Sequence, residues 1–294
     1  MSILTIDNHS IDLTHPQKIL FPADGITKGE LVAYYNRIAP IMIPYMQERL
    51  ISMQRFPSGI DQEGFYQKDA GSYFPDWVTT KTVKKKEGGV VHYVMCNNAT
   101  TLVYLANQLC ITPHLWLSKV DALRYPDRMI FDLDPSGTDF SLIIAAARAL
   151  KKLLESHGLT PFVMTTGSRG LHVVVPLLPV RNFTYVRSFA LSVAKELVHS
   201  DPHSFTLEMR KNKRQGRVFI DYLRNAYGAT GVAPYAIRPL PGAPIATPLV
   251  WSEVKAGLSP QRYTLKNIFR RLSRRADPWH AIDAYAVKLG KFSK

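Results

Sequence analysis

The segment RMIFDLDPSG, residues 128–137, constrains this chain more than any other. Met129, Ile130 and Phe131 lead into Asp132, Leu133 and Asp134, after which Pro135 and Gly137 stop any regular element. A short apolar run closed by such breakers predicts a strand. Strand residues two apart share a face, so Asp132 and Asp134 project together. Carboxylates that close repel, and each raises the other's tendency to protonate unless a cation intervenes. They therefore belong at a rim facing positive charge. On spacing alone the pair reads as a metal platform, as turn-capping carboxylates, or as the acids of another reaction.

The surrounding pattern mixes helix and strand. DFSLIIAAARALKKLLESHG predicts a helix with Asp139 near its start and Gly158 as its stop. PFVMTTGSRGLHVVVPL predicts two strands around a glycine turn, and TYVRSFALSVAKELVHS a second helix. RVFIDYL predicts a strand with Phe219 and Asp221 on one face. Earlier in the chain, Thr27 and Glu30 have capping-box spacing at a helix start. Pro40 and Pro44 are expected to end or bend that helix. ISMQRFPSG and EGFYQKDAG read as short strands, residues 100–108 as a short helix, and CITPHLWLS as extended. KTVKKKEGG is a basic connection, either a phosphate-touching hairpin loop or a solvated turn. APYAIRPLPGAPIATPL is too apolar for a disordered linker and is expected to wrap the core, and the tail after Leu265 is expected to be helical in part. No repeat or domain-separating linker stands out, so residues 1–294 are expected to form a single domain, with closely packed subdomains allowed.

Charge narrows the function. The chain carries 37 Lys and Arg against 23 Asp and Glu, a net +14. Such an excess attracts polyanions, so nucleic acid is the first expected partner, with a merely soluble basic surface as the alternative. Cys96 and Cys110 are the only cysteines, so neither a disulfide scaffold nor a structural zinc site is expected. The opening MSILTIDNHS has no basic stretch followed by an apolar one, and no apolar run reaches membrane-spanning length. The expectation is a reducing cytoplasmic setting, with no membrane partner.

Asp221 can join Asp132 and Asp134 if its strand lies beside theirs. Three carboxylates facing a phosphate chain would suit two Mg²⁺ or Mn²⁺ ions. In TTGSRGLH, the backbone amides of the turn, Ser168 and Arg169 are candidates for phosphate oxygens, with His172 where the chain re-enters a strand. This is no Walker A loop, since the GK[ST] ending is missing; a plain hairpin turn fits the segment taken alone. His114 reads as a triphosphate donor or as a histidine satisfied in a polar pocket. Arg55, Phe65, Tyr66 and Lys68 put cations beside rings that could stack on bases. Phe65 and Tyr66 would face opposite ways, so at least one is expected in the core. Lys211, Lys213, Arg214 and Arg217 read as phosphate neutralisers or as a solvated loop.

Taken in order, QRFPSG, GFYQKDA, ITPHLW, FDLDPS, TGSRGLH, RVFIDYLRN and APYAIR resemble the polymerase domain of bacterial DNA ligase D, in the archaeo-eukaryotic primase superfamily. The resemblance extends from HPQKILFPADG through PIATPLVW, nearly the whole chain. It implies an α+β primase-polymerase fold, with mixed β-sheet layers flanked by helices around a catalytic cleft. It implies a template-directed nucleotidyltransferase that extends primer 3′-OH ends and fills gaps in nonhomologous end joining. NTPs or dNTPs would be the substrates, ribonucleotides favoured, with Mg²⁺ or Mn²⁺ as cofactor. The implied partners are gapped, overhanging or broken DNA, Ku and a DNA ligase activity, in a nucleoid-associated setting. Asp132, Asp134 and Asp221 then match the metal-binding triad, and His114, Ser168, Arg169, His172 and Arg238 the nucleotide pocket. Lys18 and Lys28 match positions for the DNA-end 5′-phosphate, and Phe65 and Tyr66 the paired aromatics near DNA. Arg169 departs from the family's usual lysine, keeping the charge but not lysine's compact point-charge geometry. No KxDG ligase motif is present. Two other readings compete: a haloacid-dehalogenase-type phosphohydrolase using the DxD pair, which lacks a downstream acidic pair, and a nonenzymatic DNA-end-binding module, which leaves the acids without a task.

Overall fold

The computed structural model describes residues 2–85, 87–137 and 139–291. Strands β1 (Ser2–Ile6) and β2 (His9–Leu13) form a hairpin. Its turn residues Asp7 and Asn8 take positive φ values of 46° and 65°, the conformation a two-residue hairpin turn requires. A second hairpin of β3 (Ile19–Phe21) and β4 (Ile26–Thr27) leads into helix α1 (Lys28–Met46). The capping box forms as expected: the Thr27 hydroxyl accepts from the Glu30 amide at 3.2 Å, and the Glu30 carboxylate accepts from the Thr27 amide at 2.8 Å. The expected early end or bend does not terminate the element, because α1 continues through Pro40 and Pro44 to Met46. Ile38, Ala39, Met42, Ile43 and Met46 are all buried along that stretch. Their packing outweighs a local cost of about 3 kcal/mol per interior proline.

The chain then builds β5 (Arg49–Arg55), β6 (Phe65–Gln67), the hairpin β7 (Thr80–Lys84) and β8 (Val90–Val94), helix α2 (Ala99–Asn107) and β9 (Cys110–Lys119). The predicted RMIFDLD strand is β10 (Arg128–Asp134). Helix α3 (Phe140–Ser156) has the Asp139 carboxylate as its cap, accepting from the Ser141 amide at 2.8 Å. Next come β11 (Phe162–Thr165), β12 (Leu171–Pro176), α4 (Phe183–Ser200), β13 (Phe205–Thr206), β14 (Val218–Asp221), β15 (Thr230–Val232), β16 (Pro248–Leu249) and the short α5 (Ile268–Leu272).

Two main sheets result. One runs β13-β14-β10-β12-β11-β16 and is mixed, parallel only between β13 and β14; the other runs β15-β9-β5-β6. The period-2 alternation of the first sheet sorts its side chains onto two faces. Met129, Phe131, Leu133, Leu171, Val173, Val175, Val218 and Ile220 pack with apolar residues of α3 and α4. Ile130, Met164 and Val174 face the other way and join Leu115, Leu117 and Val232 of the second sheet, which packs against α1 and α2. Polar residues in register with this second face are thereby turned into the space between the sheets. Among the described residues no helix is long and apolar enough to cross a membrane. Cys96 and Cys110 are both buried free thiols.

Candidate active site

β10 lies between β12 and β14, pairing Asp132 with His172 on one side and with Asp221 on the other. Directly opposed residues in an antiparallel pair point the same way, with Cα atoms roughly 4.5–5.5 Å apart. Strand periodicity brings Asp134 onto that face, opposite Phe219. The three predicted acids therefore line one cleft of about 460 Å³, a size suited to a small-molecule ligand. Predicted His114, Ser168, Arg169, His172, Arg238 and Tyr66 line the same cleft.

The next turn of chain shows why β14 ends where it does. The Asn225 side chain accepts from the Ile130 amide at 2.8 Å and donates to the Ile130 carbonyl at 2.7 Å. It replaces the missing strand neighbour, and it holds Arg224 against the acids. Arg224 Nε donates to Asp132 Oδ2 at 2.8 Å, and Arg214 Nη1 donates to Asp134 Oδ2 at 2.9 Å. Arg169 reaches Asp134 Oδ1 at 3.3 Å. Of the basic run before β14, Lys211 and Lys213 are exposed while Arg214 is buried. The solvated-loop reading holds for those lysines and fails for Arg214. Arg224 and Asn225 are site residues beyond those predicted from sequence, for which a cation three residues after Asp221 is the available signal.

These neighbours set the protonation of the acids. Burial opposes ionisation of Asp132, but His172 and Arg224 outweigh it and hold the carboxyl well below the usual range. Asp221 goes the other way: burial raises it, the Asp132 charge adds to the rise, and the Leu223 amide opposes it. That amide donates to Asp221 Oδ1 at 2.7 Å. Burial, with help from Arg238, Arg224 and His172, pushes His114 down to about 3. Such opposed shifts within one cleft are the pattern that functional sites tend to show.

The glycine turn is held by contacts that only glycine permits. Gly167 has a φ of +65°, and a Cβ there would meet the Ala246 amide and Arg238 Cγ at 2.8 Å. A Cβ on Gly170 would sit 2.1 Å from the Leu133 carbonyl oxygen. Gly170→Ala is therefore expected to displace the turn from the end of β10. Loss of roughly 1–3 kcal/mol of stability, measured by denaturant unfolding, should accompany weaker nucleotide binding. Arg238 Nη1 donates to the Thr166 carbonyl at 2.9 Å, fixing the guanidinium beside the turn.

Three buried polar atoms of the cleft have no hydrogen-bond partner: His114 Nε2, His172 Nδ1 and Arg238 Nε. Buried polar groups are normally satisfied, so three orphans around one space suit a polar, anionic ligand. Carboxylate oxygens from Asp132, Asp134 and Asp221 are hard donors of the kind that Mg²⁺ and Mn²⁺ take, and in this respect the residues fit the implied cation. Among the described residues, no group of three or more His, Cys, Asp or Glu is already drawn around one point. Asp132 and Asp134 are turned to arginines instead.

The other predicted residues are distributed differently. Lys18, Lys28 and Arg55 line a separate pocket with Asn107, whose Oδ1 is a buried orphan. Phe65 and Tyr66 are 47% and 55% exposed, so neither is in the core as expected. They sit on β6, the edge strand of its sheet, which leaves each ring about half open to solvent. Tyr66 meets His114 edge-on at 5.4 Å on the cleft side, and Phe65 lies 5.6 Å from the Arg55 guanidinium. Lys68 is exposed and lines neither pocket.

Comparison with known proteins agrees with this geometry. A family model described as the LigD primase-polymerase domain matches residues 27–279. The bifunctional non-homologous end joining protein LigD of Bacillus subtilis is 30% identical over 92% of this chain and 43% of its own length. The multifunctional LigD of Mycolicibacterium smegmatis is 32% identical over 83% of this chain and 32% of its own. This chain thus spans less than half the length of either curated relative. The solved polymerase domain from Mycobacterium tuberculosis Ligase D, in complex with DNA, has a TM-score of 0.87 and 30% identity, covering 94% of this chain and 99% of that one. The match over residues 27–279 shows that this chain belongs to the LigD primase-polymerase domain family, an enzyme family of nucleotidyltransferases.

Proposed function

We propose that residues 1–294 act as one primase-polymerase domain that extends primer 3′-OH ends and fills gaps in broken DNA, favouring ribonucleotides. The observation that carries this is the convergence of Asp132, Asp134 and Asp221 with partnerless His114, His172 and Arg238 atoms in one cleft. A DxD phosphohydrolase would need a further acidic pair downstream of its nucleophile, which the sequence lacks. A binding module alone would have no use for three acids facing an anion.

In this reading Asp132, Asp134 and Asp221 would hold the divalent cations, Mg²⁺ or Mn²⁺, with Asp221 serving the primer hydroxyl. Two bound cations would supply activation of the attacking oxygen and stabilisation of the departing pyrophosphate. Arg169, Arg214 and Arg224 neutralise the acids in the free protein; the more exposed Arg169 and Arg224 would turn to phosphate oxygens of a bound nucleotide, while Arg214 stays anchored on the Glu208 and Met209 carbonyls. His114, neutral at physiological pH, offers its ring to the triphosphate without bringing further charge. Ser168 and Arg169 border the phosphates, with Arg238 beside them, anchored through Nη1 on the Thr166 carbonyl. Tyr66, exposed beside His114, is placed to stack on a base, with Phe65, Arg55 and Lys68 along the same edge toward the DNA. In the cell the partners would be DNA ends, Ku and a ligase activity in nonhomologous end joining, at the nucleoid.

The separate pocket is the proposed seat of the 5′-phosphate at a gap. Lys28 donates to the Thr14 hydroxyl at 2.8 Å, and burial, then Lys18, pushes its pKa down to about 8. Its positive charge is present below that value and lost above it. Preference for 5′-phosphorylated over 5′-hydroxyl gapped DNA should therefore fall as pH rises through about 8. Fold stability should move the opposite way over this range, because the unfolded chain binds the Lys28 proton more tightly. Lys28→Ala should remove most of the preference, roughly tenfold in affinity, as read by fluorescence anisotropy. A pH-independent preference that survives Lys28→Ala would rule this pocket out.

The reading as a whole is tested by extending a labelled primer on gapped templates with Mn²⁺ and each NTP or dNTP. Incorporation should follow the templating base and be faster with ribonucleotides. Untemplated addition, or none on any gapped or overhanging substrate that the protein binds, would contradict it.

A further inference from the structure

The C-terminal segment carries a second cationic surface that the cleft does not use. Arg262, Arg270, Arg271, Arg274 and Arg275 line a concavity of about 320 Å³ beside Tyr263. Behind its wall, Glu253 pairs with two of these arginines, meeting Arg271 at 2.6 Å and Arg275 at 3.4 Å. Arg271 is structural as well, donating to the Pro248 carbonyl at 2.9 Å and lying 4.6 Å from the Tyr263 ring centre. Arg262, Arg270 and Arg274 are exposed, and among the described residues none of them pairs with a carboxylate. Arg270 and Arg274 stand four apart across the end of α5, a spacing at which like charges repel. Arg37, exposed on α1, lies 3.9 Å over the Phe269 ring and extends the positive rim.

Three features identify the occupant. No large exposed hydrophobic residue occurs in the concavity, so the aromatic or aliphatic anchor of a protein interface is missing. Forked guanidinium groups in a row match phosphate oxygens spaced along a backbone. The location gives the third clue. Gln261 Nε2 donates to the Ser168 carbonyl at 3.0 Å, so the segment that opens the concavity abuts the glycine turn of the cleft.

We propose that this arginine concavity is a second phosphate-backbone contact, holding DNA that passes the glycine turn outside the cleft. It rests on the reading that the chain binds DNA, but not on the chemistry of the acids. Arg262, Arg270 and Arg274 would make the contacts, while Arg271 and Arg275 shape the wall with Glu253.

The test compares wild type with Arg262→Ala/Arg270→Ala/Arg274→Ala, and with the corresponding triple lysine variant, on a gapped duplex with long arms. The dependence of log K on log salt should lose about 2–3 in slope in the alanine variant, near 0.9 per phosphate contact. Lysine should restore most of it, and the extension rate at saturating DNA and nucleotide should stay at the wild-type level. An unchanged slope would overturn the proposal and leave an acidic protein surface as the occupant to consider. A fall in the saturated rate would overturn it too, by placing the arginines in the nucleotide site. Wild type that bound no gapped DNA at any salt would bring down the DNA-binding reading itself, and this proposal with it.

Discussion

Asp132→Asn is expected to cost roughly a thousandfold in single-turnover primer extension, about 4 kcal/mol of transition-state stabilisation. Asp132 stands at the centre of the cleft row, between His172 and Asp221, on the strand that carries Asp134. Asparagine keeps the shape but removes the charge that a cation or Arg224 requires. The same change should weaken the metal-free fold, because Arg224 loses its partner at 2.8 Å. The cost should be about 1–2 kcal/mol, moderated by the partial exposure of that guanidinium. Its sign with pH follows from the depressed carboxyl. The stability contributed by Asp132 is fully present above the unfolded-state pKa, and it fades as pH falls through the lower folded value. Asp132→Asn should therefore flatten the acid limb of the stability profile, measured by urea unfolding in chelator. Extension at near wild-type rate in the folded variant would remove Asp132 from the chemistry.

Asp221→Asn should be as damaging to extension yet have the opposite effect on the fold. Burial and the Asp132 charge raise Asp221 above the ordinary carboxylate value, so ionising it is a cost that the metal-free protein bears. Asparagine removes that cost and still accepts the Leu223 amide through its side-chain oxygen. A gain on the order of 1 kcal/mol at neutral pH is expected, of the size often found when a functional site is relieved. The gain should vanish in acid, where Asp221 is protonated in the wild type as well. A variant both inactive and more stable separates a functional carboxylate from one kept for structure. If Asp221→Asn destabilised the protein at pH 7, the account of its electrostatics would be wrong.

Much of this site was legible in residue order because strand periodicity is local. The spacing of Asp132 and Asp134, the breakers after them, and the pairing of Phe219 with Asp221 on one face required no knowledge of the topology. The sheet order was not legible: nothing within β10 says that β12 and β14 flank it, and that neighbourhood is what brings His172 and Asp221 to Asp132. Arg224 escaped for the same reason, and Arg214 stayed open between a phosphate neutraliser and a solvated-loop residue, since a cation in a loop looks solvated until the acid it meets is known. Tertiary packing also overrode local signals. α1 passes through two prolines because its buried stripe is continuous. Phe65 and Tyr66 stay exposed because β6 ends its sheet. The apolar loop after Gly231 was expected to wrap the core and does so. An Ile237–Ile245 bridge and a 2.7 Å bond from the Tyr235 amide to the Ala246 carbonyl hold it, setting Arg238 beside the glycine turn.

The most direct test of the central claim, that the three acids jointly hold divalent cations for nucleotidyl transfer, is a Mn²⁺ titration of single-turnover extension on 5′-phosphorylated gapped DNA, run in parallel on wild type, Asp132→Asn and Asp221→Asn. The account predicts saturable, template-directed extension by wild type, and in both variants a loss of roughly a thousandfold that added Mn²⁺ does not restore, with DNA binding retained. Metal-independent extension by wild type, or variants that match its rate at any Mn²⁺ concentration, would contradict it.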